Sequence, residues 1–324
     1  MTSTEQVETS GPPGADPGWS GAWRRARALL EGVTRDRVAA SDPGVELAIL
    51  DWGGEGELAI FHHANGFCAA TLAPIAHALR DRYRVVSIDA RGHGDSTSVS
   101  PHDDPRAYAW ATLVDDLQTA VHAILARTGR PRVALGIGHS FGGALSLAAE
   151  LREPGLFERL LLCDPVILPP LTLEERRQMS RGPGLAASTR KRRDRFPSRE
   201  EAYAHCRTRA LFADFTPEAL ALYVGEGMRE TEDGEIALKC DREIEAAIFD
   251  QGGSLDFDRD IERVRARVLF LHAGRGNFDV RAYESLAARM PEGRVERLDA
   301  GHLFPLEEPE RVLEAVGSDP TRQE

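Results

Sequence analysis

The sequence predicts an α/β fold, with a mostly parallel central sheet, helices on both faces and an inserted helical cap. Seven short apolar runs recur along the chain, and several are apolar without interruption, which is typical of parallel strands buried on both faces. Segments of helical character separate them, which indicates right-handed crossovers. The alternation stops between about 166 and 262 and then resumes, which favours an insertion over a separate domain.

The elements follow one another in a regular order. A short amphipathic helix from Trp19 to Leu30 carries three arginines, and we expect it to pack on the outside of the core. The expected strands are 45-VELAILD, 57-ELAIFHH, 84-RVVSID, 132-RVALGIG, 158-ERLLLCD, 267-RVLFLH and 294-RVERLD, and the expected helices include 71-TLAPIAHALRDR, 108-YAWATLVDDLQTAVHAILART and 141-FGGALSLAAELRE. Ligands of such sheets bind beyond the carboxyl ends of the strands.

The chain divides into four expected parts. These are a disordered tail at 1–18, a first core part at 19–165, a helical cap at 166–262 and a second core part at 263–318. The tail is rich in Ser, Thr, Gly, Pro and Glu, a composition that does not support fixed structure. The cap core is expected from an apolar set, some of which would line an acyl pocket: Phe196, Tyr203, Leu211, Phe212, Phe215, Leu220 and Tyr223.

Charge and composition argue against several kinds of partner. The net charge of −12 gives no general attraction for nucleic acid or anionic lipid, and the basic run 190-RKRRDR is short enough to be a solvated helix face. No apolar run reaches the roughly 18 residues that a membrane-spanning helix needs. We therefore expect a small-molecule substrate, and the sequence leaves a homodimer open.

The same composition predicts a cytoplasmic enzyme that works without a cofactor. The N-terminus lacks the basic and apolar regions of a signal peptide. Four widely spaced cysteines are too sparse for a disulfide framework or a zinc site. No glycine-rich segment has the complete spacing of a dinucleotide-binding loop, so neither a metal nor a cofactor is expected.

The segment 138-GHSFG predicts a nucleophile. It lies directly after an expected strand and before an alanine-rich helix, and a G-x-S-x-G turn in that setting lifts the serine hydroxyl clear of the backbone. The N–H groups that open the helix point at the same place and favour a developing anion. Ser140 is the candidate nucleophile.

A base and an oxyanion hole can be assigned around this serine. A serine hydroxyl needs a base, and His302 follows the last expected strand, in the chain order Ser…acid…His. The bend Asn65-Gly66 can direct backbone donors inward, so the amides of Phe67 and Phe141 are the expected oxyanion hole. His63 is expected to brace this bend, with direct participation in the chemistry as the alternative.

These motifs resemble those of the α/β-hydrolase superfamily, over most of residues 45–315. The resemblance rests on HANGF, DARGHGDS, GHSFG and GHLFPLEEPE, and it implies a Ser-His-Asp triad. It also implies that Asp89, Arg91 and Ser96 of DARGHGDS are structural. The insertion resembles the helical cap of a bacterial branch of serine hydrolases close to ester and carbon–carbon bond hydrolases.

The triad acid has two candidates. The superfamily commonly places it as Gly-x-x-Asp after the penultimate strand, but here AGRGNFDV puts Asn277 three residues after Gly274. Counting from Gly276 instead gives Asp279, which is the favoured candidate. The alternative is Asp164 in LLLCDPVILPP, at the end of an earlier strand, where some similar hydrolases hold their acid.

We therefore expect a cofactor-independent serine hydrolase. Its substrate would be a carboxylic ester or lactone with an apolar acyl part, cleaved through an acyl-enzyme. A carbon–carbon bond hydrolase of vinylogous diketones is the alternative, since the same triad serves both, and a non-catalytic ligand-binding protein is a third possibility. The physiological substrate and the movement of the cap are not given by the sequence.

Overall fold

The computed structural model describes residues 18–168 and 184–318. The expected tail, apart from Gly18, and the part of the expected cap at 169–183 lie outside the described residues. How the chain divides into structural units stays a prediction.

The strands form one large and one small sheet. They are β1 (Thr34–Ala39), β2 (Glu46–Gly53), β3 (Glu57–His62), β4 (Tyr83–Ile88), β5 (Val133–His139), β6 (Arg159–Cys163), β7 (Arg195–Phe196), β8 (Met228–Glu230), β9 (Ile236–Leu238), β10 (Arg267–Ala273) and β11 (Gly293–Leu298). The large sheet has the order β1-β2-β4-β3-β5-β6-β10-β11. Only its β1–β2 and β2–β4 pairs are antiparallel.

All seven expected strands are present in this sheet, and β1 was not expected. It is an edge strand in which only Val38 is buried. An edge strand of this kind lacks the apolar pattern by which the other strands are recognised.

The helices lie on both faces of the large sheet and in the segment inserted between β6 and β10. They are α1 (Gly18–Ala28), α2 (Ala73–Leu79), α3 (Trp110–Thr128), α4 (Phe141–Arg152), α5 (Leu185–Thr189), α6 (Arg199–Arg207), α7 (Pro217–Glu226), α8 (Arg242–Asp250), α9 (Val280–Ala287), α10 (Phe304–Glu307) and α11 (Pro309–Gly317). Alternate residues of each strand point to opposite faces. In β3, Phe61 therefore joins the apolar cluster beneath α2 and α11, whereas its neighbour Ile60 joins the cluster beneath α3, α4 and α9.

The segment between β6 and β10 combines helices with a small sheet. Its described part contains α5 to α8 and the antiparallel sheet β7-β9-β8. This sheet was not expected, because strands of two or three residues are too short to show a periodic pattern. The expected apolar set is buried, apart from Leu211, which is 52% exposed.

The first helix packs on this inserted segment. The ring of Trp23 in α1 occupies the space beside Gly225 in α7, and Trp19 lies 6.1 Å from Tyr203 in α6 between ring centroids. Arg25 is ion-paired with Glu218 in α7. The expectation that α1 packs on the outside of the core is therefore corrected, because its tryptophans are directed at the inserted helices.

Candidate active site

Ser140 occupies the sharp turn between β5 and α4. Its backbone angles are φ 53° and ψ −115°, a region that non-glycine residues rarely adopt and that costs about 1–3 kcal/mol. The turn is tight because the strand and helix backbones nearly touch: a Cβ on Gly138 would lie 2.6 Å from the Cα of Gly143. The geometry is that of the nucleophile turn expected from GHSFG.

A hydrogen-bonded chain connects Ser140, His302 and Asp164. The Nε2 of His302 lies 2.9 Å from Ser140 Oγ, and its Nδ1 lies 2.6 Å from Asp164 Oδ2. His139 Nε2 makes a 2.9 Å hydrogen bond to the carbonyl oxygen of His302 and so holds the loop that carries the imidazole. The structure thus brings together the expected nucleophile, the expected base and the alternative acid.

Asp164 is buried and firmly held at the end of β6. Its φ of 42° is in the left-handed region, and its side chain is fully buried. Its Oδ1 accepts hydrogen bonds from the Ala273 N–H at 3.1 Å and from the Tyr283 hydroxyl at 3.2 Å. These donors leave Oδ2 directed at His302. Nothing in the sequence pattern indicated Tyr283.

Asp279 lies elsewhere, which corrects the expectation that favoured it over Asp164. It is the N-cap of α9, where its Oδ1 accepts the Arg281 N–H at 3.0 Å, and its carboxylate is ion-paired with the Arg281 guanidinium at 2.5 Å. These hydrogen bonds lower the pKa of Asp279 to about 2. The physical reason is local: the Asp279 carboxylate caps the N-terminus of α9, whereas the Asp164 carboxylate bonds His302.

The two expected oxyanion donors differ in whether the backbone N–H already has an acceptor. Phe141 is the first residue of α4, where a backbone N–H has no acceptor within the helix. The Phe67 N–H donates to the Ala64 carbonyl at 3.1 Å, across the turn made by Asn65 and Gly66. The role of both amides as an oxyanion hole stays a prediction.

Buried histidines support this turn. His63 bonds the Ala64 carbonyl through Nδ1 at 2.7 Å, and its Nε2 accepts the Ala90 N–H at 3.0 Å. Burial lowers the pKa of His63 to about 4, so the ring is neutral near pH 7 and one nitrogen can accept while the other donates. These contacts are those of the brace expected from the sequence.

The DARGHGDS loop makes structural contacts. Arg91 forms ion pairs with the buried Asp116 at 2.8 Å and with Asp42 at 2.6 Å. Asp89 accepts the Ala69 N–H at 2.7 Å, and the Ser96 hydroxyl donates to the Asp89 carbonyl at 2.7 Å. The side chains therefore hold the loop and the segment that follows Phe67.

The basic run at 190–195 is paired within the inserted segment. Arg190 bonds Asp250 at 2.7 Å and Glu243 at 3.0 Å, both in α8. Arg192 lies 2.6 Å from Glu245, also in α8. The expectation of a solvated helix face is corrected in two respects: the run follows α5 instead of forming a helix, and Arg190 and Arg192 pair with α8. Its other basic residues, Lys191, Arg193 and Arg195, are exposed as expected.

Two kinds of feature are absent from the residues that the structure describes. No group of three or more His, Cys, Asp or Glu side chains there is arranged to hold a metal ion. None of the helices in 18–168 and 184–318 is both long and apolar enough to cross a membrane.

Comparison with known proteins agrees with the fold. The family model described as "Alpha/beta hydrolase family" matches residues 59–315, which is most of the chain. The fold and this match define the class: the protein belongs to the α/β-hydrolase family and is a hydrolase.

Individual relatives have low sequence identity to this chain and align with only part of it. The chain is 28% identical over 165 residues to the sn-1-specific diacylglycerol lipase ABHD11 of Mus musculus, covering 45% of this chain and 50% of that protein. It is 31% identical over 111 residues to the 2-(acetamidomethylene)succinate hydrolase of Mesorhizobium japonicum, covering 34% and 36%. The alignments thus span half or less of these two relatives.

A solved structure shares the fold over nearly the whole chain. The crystal structure of E-2-(acetamidomethylene)succinate hydrolase superposes with a TM-score of 0.71 at 20% identity. The match covers 88% of this chain and 97% of that one. At this identity the likeness shows the fold alone.

Proposed function

We propose that the protein is a cofactor-independent serine hydrolase that cleaves carboxylic esters or lactones through an acyl-enzyme. The observation that carries this proposal is the continuous chain from Ser140 Oγ through His302 to Asp164, with distances of 2.9 and 2.6 Å. Nucleophile and base within hydrogen-bonding reach, with a third group orienting the base, is the arrangement that activates a serine.

Each residue of the proposed triad has one task. Ser140 Oγ attacks the substrate carbonyl while His302 Nε2 takes its proton. Asp164 accepts the Nδ1–H of His302, which fixes the tautomer and stabilises the imidazolium. His302 returns the proton to the leaving group, and a water that it then activates releases the acid from Ser140.

The oxyanion of the tetrahedral intermediate would be held by the Phe141 and Phe67 amides. Phe141 lies at a helix start, which adds the favourable field of the helix dipole. A charged oxygen forms stronger hydrogen bonds than a neutral carbonyl. The oxyanion therefore competes successfully with Ala64 for the Phe67 N–H.

An apolar acyl group is proposed because aromatic side chains surround the oxyanion turn. The Phe67 ring lies 6.0 Å from Phe215 and 5.4 Å from Tyr223 between centroids, and Phe212 packs against both cap rings. A diacylglycerol lipase among the relatives supports an ester substrate.

The four cysteines are buried and unpaired, which is typical of a reducing compartment, and we propose a cytoplasmic location.

The first test is covalent labelling with a fluorophosphonate probe, followed by peptide mapping. We expect one adduct on Ser140 and none on the Ser140→Ala variant. Ser146 is an internal control, because it lies in the same helix and its buried hydroxyl is bonded to the Gly142 carbonyl at 2.7 Å. A folded protein that acquires no adduct, or an adduct elsewhere, would refute the acyl-enzyme mechanism.

A substrate panel then separates the alternatives. The proposal predicts turnover of esters or lactones, faster as the acyl chain becomes more apolar. Turnover of vinylogous diketones without activity on simple esters would instead establish a carbon–carbon bond hydrolase. Ligand binding without turnover would indicate a non-catalytic protein.

A further inference from the structure

The turn that precedes the Phe67 amide contacts the inserted segment directly. Asn65 Nδ2 donates to the backbone carbonyl of Glu245 in α8 at 3.0 Å, and both side chains are buried. The Glu245 carboxylate also lies against Gly66, since a Cβ there would lie 2.5 Å from Glu245 Oε1. Two separate contacts therefore join α8 to this turn.

The core holds the other side of the same turn. His93 Nε2 accepts the Gly66 N–H at 3.0 Å, and His93 Nδ1 bonds the Arg91 carbonyl at 3.0 Å. Burial keeps the pKa of His93 well below its usual value, so the neutral ring can accept a hydrogen bond. The turn is thus clamped between the loop after β4 and α8.

The charge of Glu245 is compensated where it meets the turn. A lone carboxylate beside an oxyanion site would oppose the developing negative charge. Arg192 Nη2 lies 2.6 Å from Glu245 Oε2 and neutralises it. Glu245 can therefore pack against Gly66 without an uncompensated charge at the site.

The hydrogen bonds of Ala64 allow the Phe67 N–H to change partner. The Ala64 carbonyl accepts from Phe67 N at 3.1 Å and is also bonded by His63 Nδ1 at 2.7 Å. If the Phe67 N–H turns towards an oxyanion, Ala64 keeps one donor, so no buried acceptor is left unsatisfied. The direction of this N–H then depends on how the preceding residues, Asn65 and Gly66, are held.

We propose that Asn65 is a positioning residue for the oxyanion hole. Its bond to the Glu245 carbonyl fixes the turn and so sets the direction of the Phe67 N–H. The inserted segment thus contributes to the chemical step through this one bond rather than through the packing of α8 as a whole. This inference rests on the proposed serine-hydrolase function.

The test compares Asn65→Ala and Asn65→Asp with a matched control. The aspartate keeps the shape of the side chain and removes the Nδ2 donor but adds a charge, so the alanine variant is the neutral comparison. The control is Trp110→Phe, which removes a 2.9 Å hydrogen bond to the Ile248 carbonyl of the same helix and does not touch the turn. Phenylalanine also keeps an aromatic ring near Phe141, which lies 5.3 Å from Trp110 between centroids.

We expect each Asn65 variant to lower kcat by about 10²-fold, the effect of a small misplacement of a reacting group, with KM changed by no more than about twofold. An arylboronic acid becomes tetrahedral on Ser140, so its inhibition should weaken by a similar factor. The pH dependence of kcat/KM should keep its inflection, because His302 and Asp164 are untouched. Trp110→Phe should retain wild-type kcat.

Two results would overturn the proposal. One is a folded Asn65→Asp enzyme with wild-type kcat and boronic acid affinity. The other is a loss of kcat in Trp110→Phe equal to that of the Asn65 variants, which would show a general effect of loosening α8. Labelling of the wild-type enzyme by fluorophosphonate separates these results from failure of the serine mechanism, in which the wild type itself would not be labelled.

Discussion

The ends of two neighbouring strands, β6 and β10, each supply an aspartate that could complete a triad. Asp164 follows β6 directly, and its backbone N–H bonds the Leu271 carbonyl of β10 at 2.8 Å. Asp279 comes after the loop 274–278 that follows β10 and caps α9. Only Asp164 bonds His302, at 2.6 Å.

The difference between these two carboxylates is one of surroundings. Asp164 is fully buried, has two donors on one oxygen and presents the other to an imidazole. Asp279 is bound by the cation two residues further along its own helix. A triad acid therefore depends on burial and direction, which spacing along the chain does not reveal.

The largest expected effect is the loss of activity on substitution of Asp164, which distinguishes it from Asp279. Asp164→Asn should lower kcat by up to ~10⁴-fold, because the amide can stabilise neither the required His302 tautomer nor the imidazolium. Ester hydrolysis under saturating substrate measures it, with circular dichroism to confirm folding. A variant that retains near wild-type kcat would remove Asp164 from the triad.

Two buried histidines, at the ends of β3 and β5, predict that the stability of the protein depends on pH. Burial lowers the pKa of His62 and His139 to about 3. The unfolded chain therefore binds protons below pH 6.5 that the folded chain does not. Stability is complete above pH 6.5 and falls as the pH drops, by about 1.4 kcal/mol per pH unit for each histidine.

Urea unfolding between pH 7.5 and 5 measures this dependence. His62→Leu should flatten it, because the variant no longer has this ring to protonate on unfolding. Asp89, whose pKa burial raises to about 6, acts in the opposite direction below that pH. A free energy of unfolding that is unchanged from pH 7.5 to 5 would contradict the neutral buried histidines.

Removing a support of Asp164 should have a smaller effect. Tyr283→Phe deletes the hydroxyl that bonds Asp164 at 3.2 Å and the Pro165 carbonyl at 2.7 Å. We expect kcat to fall about tenfold, the effect of one hydrogen bond to a charged group. The control is Tyr108→Phe, which deletes a buried hydroxyl bonded to Val99 and should lower stability without changing kcat. Equal activities of the two variants would show that Tyr283 does not orient the acid.

The smallest effect is expected at Asp279. Asn is as good an N-cap as Asp, so Asp279→Asn should leave both kcat and the thermal midpoint nearly unchanged. Asp279→Ala should lower the free energy of unfolding by about 1 kcal/mol through loss of the cap. A large fall in kcat for Asp279→Asn would restore it as the triad acid.

Local patterns predicted most of the core and half of the site. Buried strands are recognisable because both faces are apolar, and the turn at Ser140 is recognisable because glycine spacing and a strand–helix junction coincide. The edge strand β1 and the short strands β7 to β9 lack such a pattern.

The remaining features of the site depend on contacts between distant parts of the chain. Asp164 is held in place by hydrogen bonds from the Tyr283 hydroxyl and the Ala273 amide, whereas Asp279 is not. No sequence motif marks either donor. The bond from Asn65 to Glu245 likewise joins two segments whose proximity only the folded chain defines. His139 is part of the GHSFG motif, but its hydrogen bond to the His302 carbonyl could not be predicted from the sequence.

The most direct test of the central claim is proton NMR of the His302 Nδ1–H in protein with ¹⁵N-labelled histidine rings. A strongly hydrogen-bonded ring N–H resonates far downfield, and loss of the signal in His302→Gln assigns it. We predict that the signal persists in Asp279→Asn and is lost or moves strongly upfield in Asp164→Asn. A signal that survives in Asp164→Asn and disappears in Asp279→Asn would contradict this account.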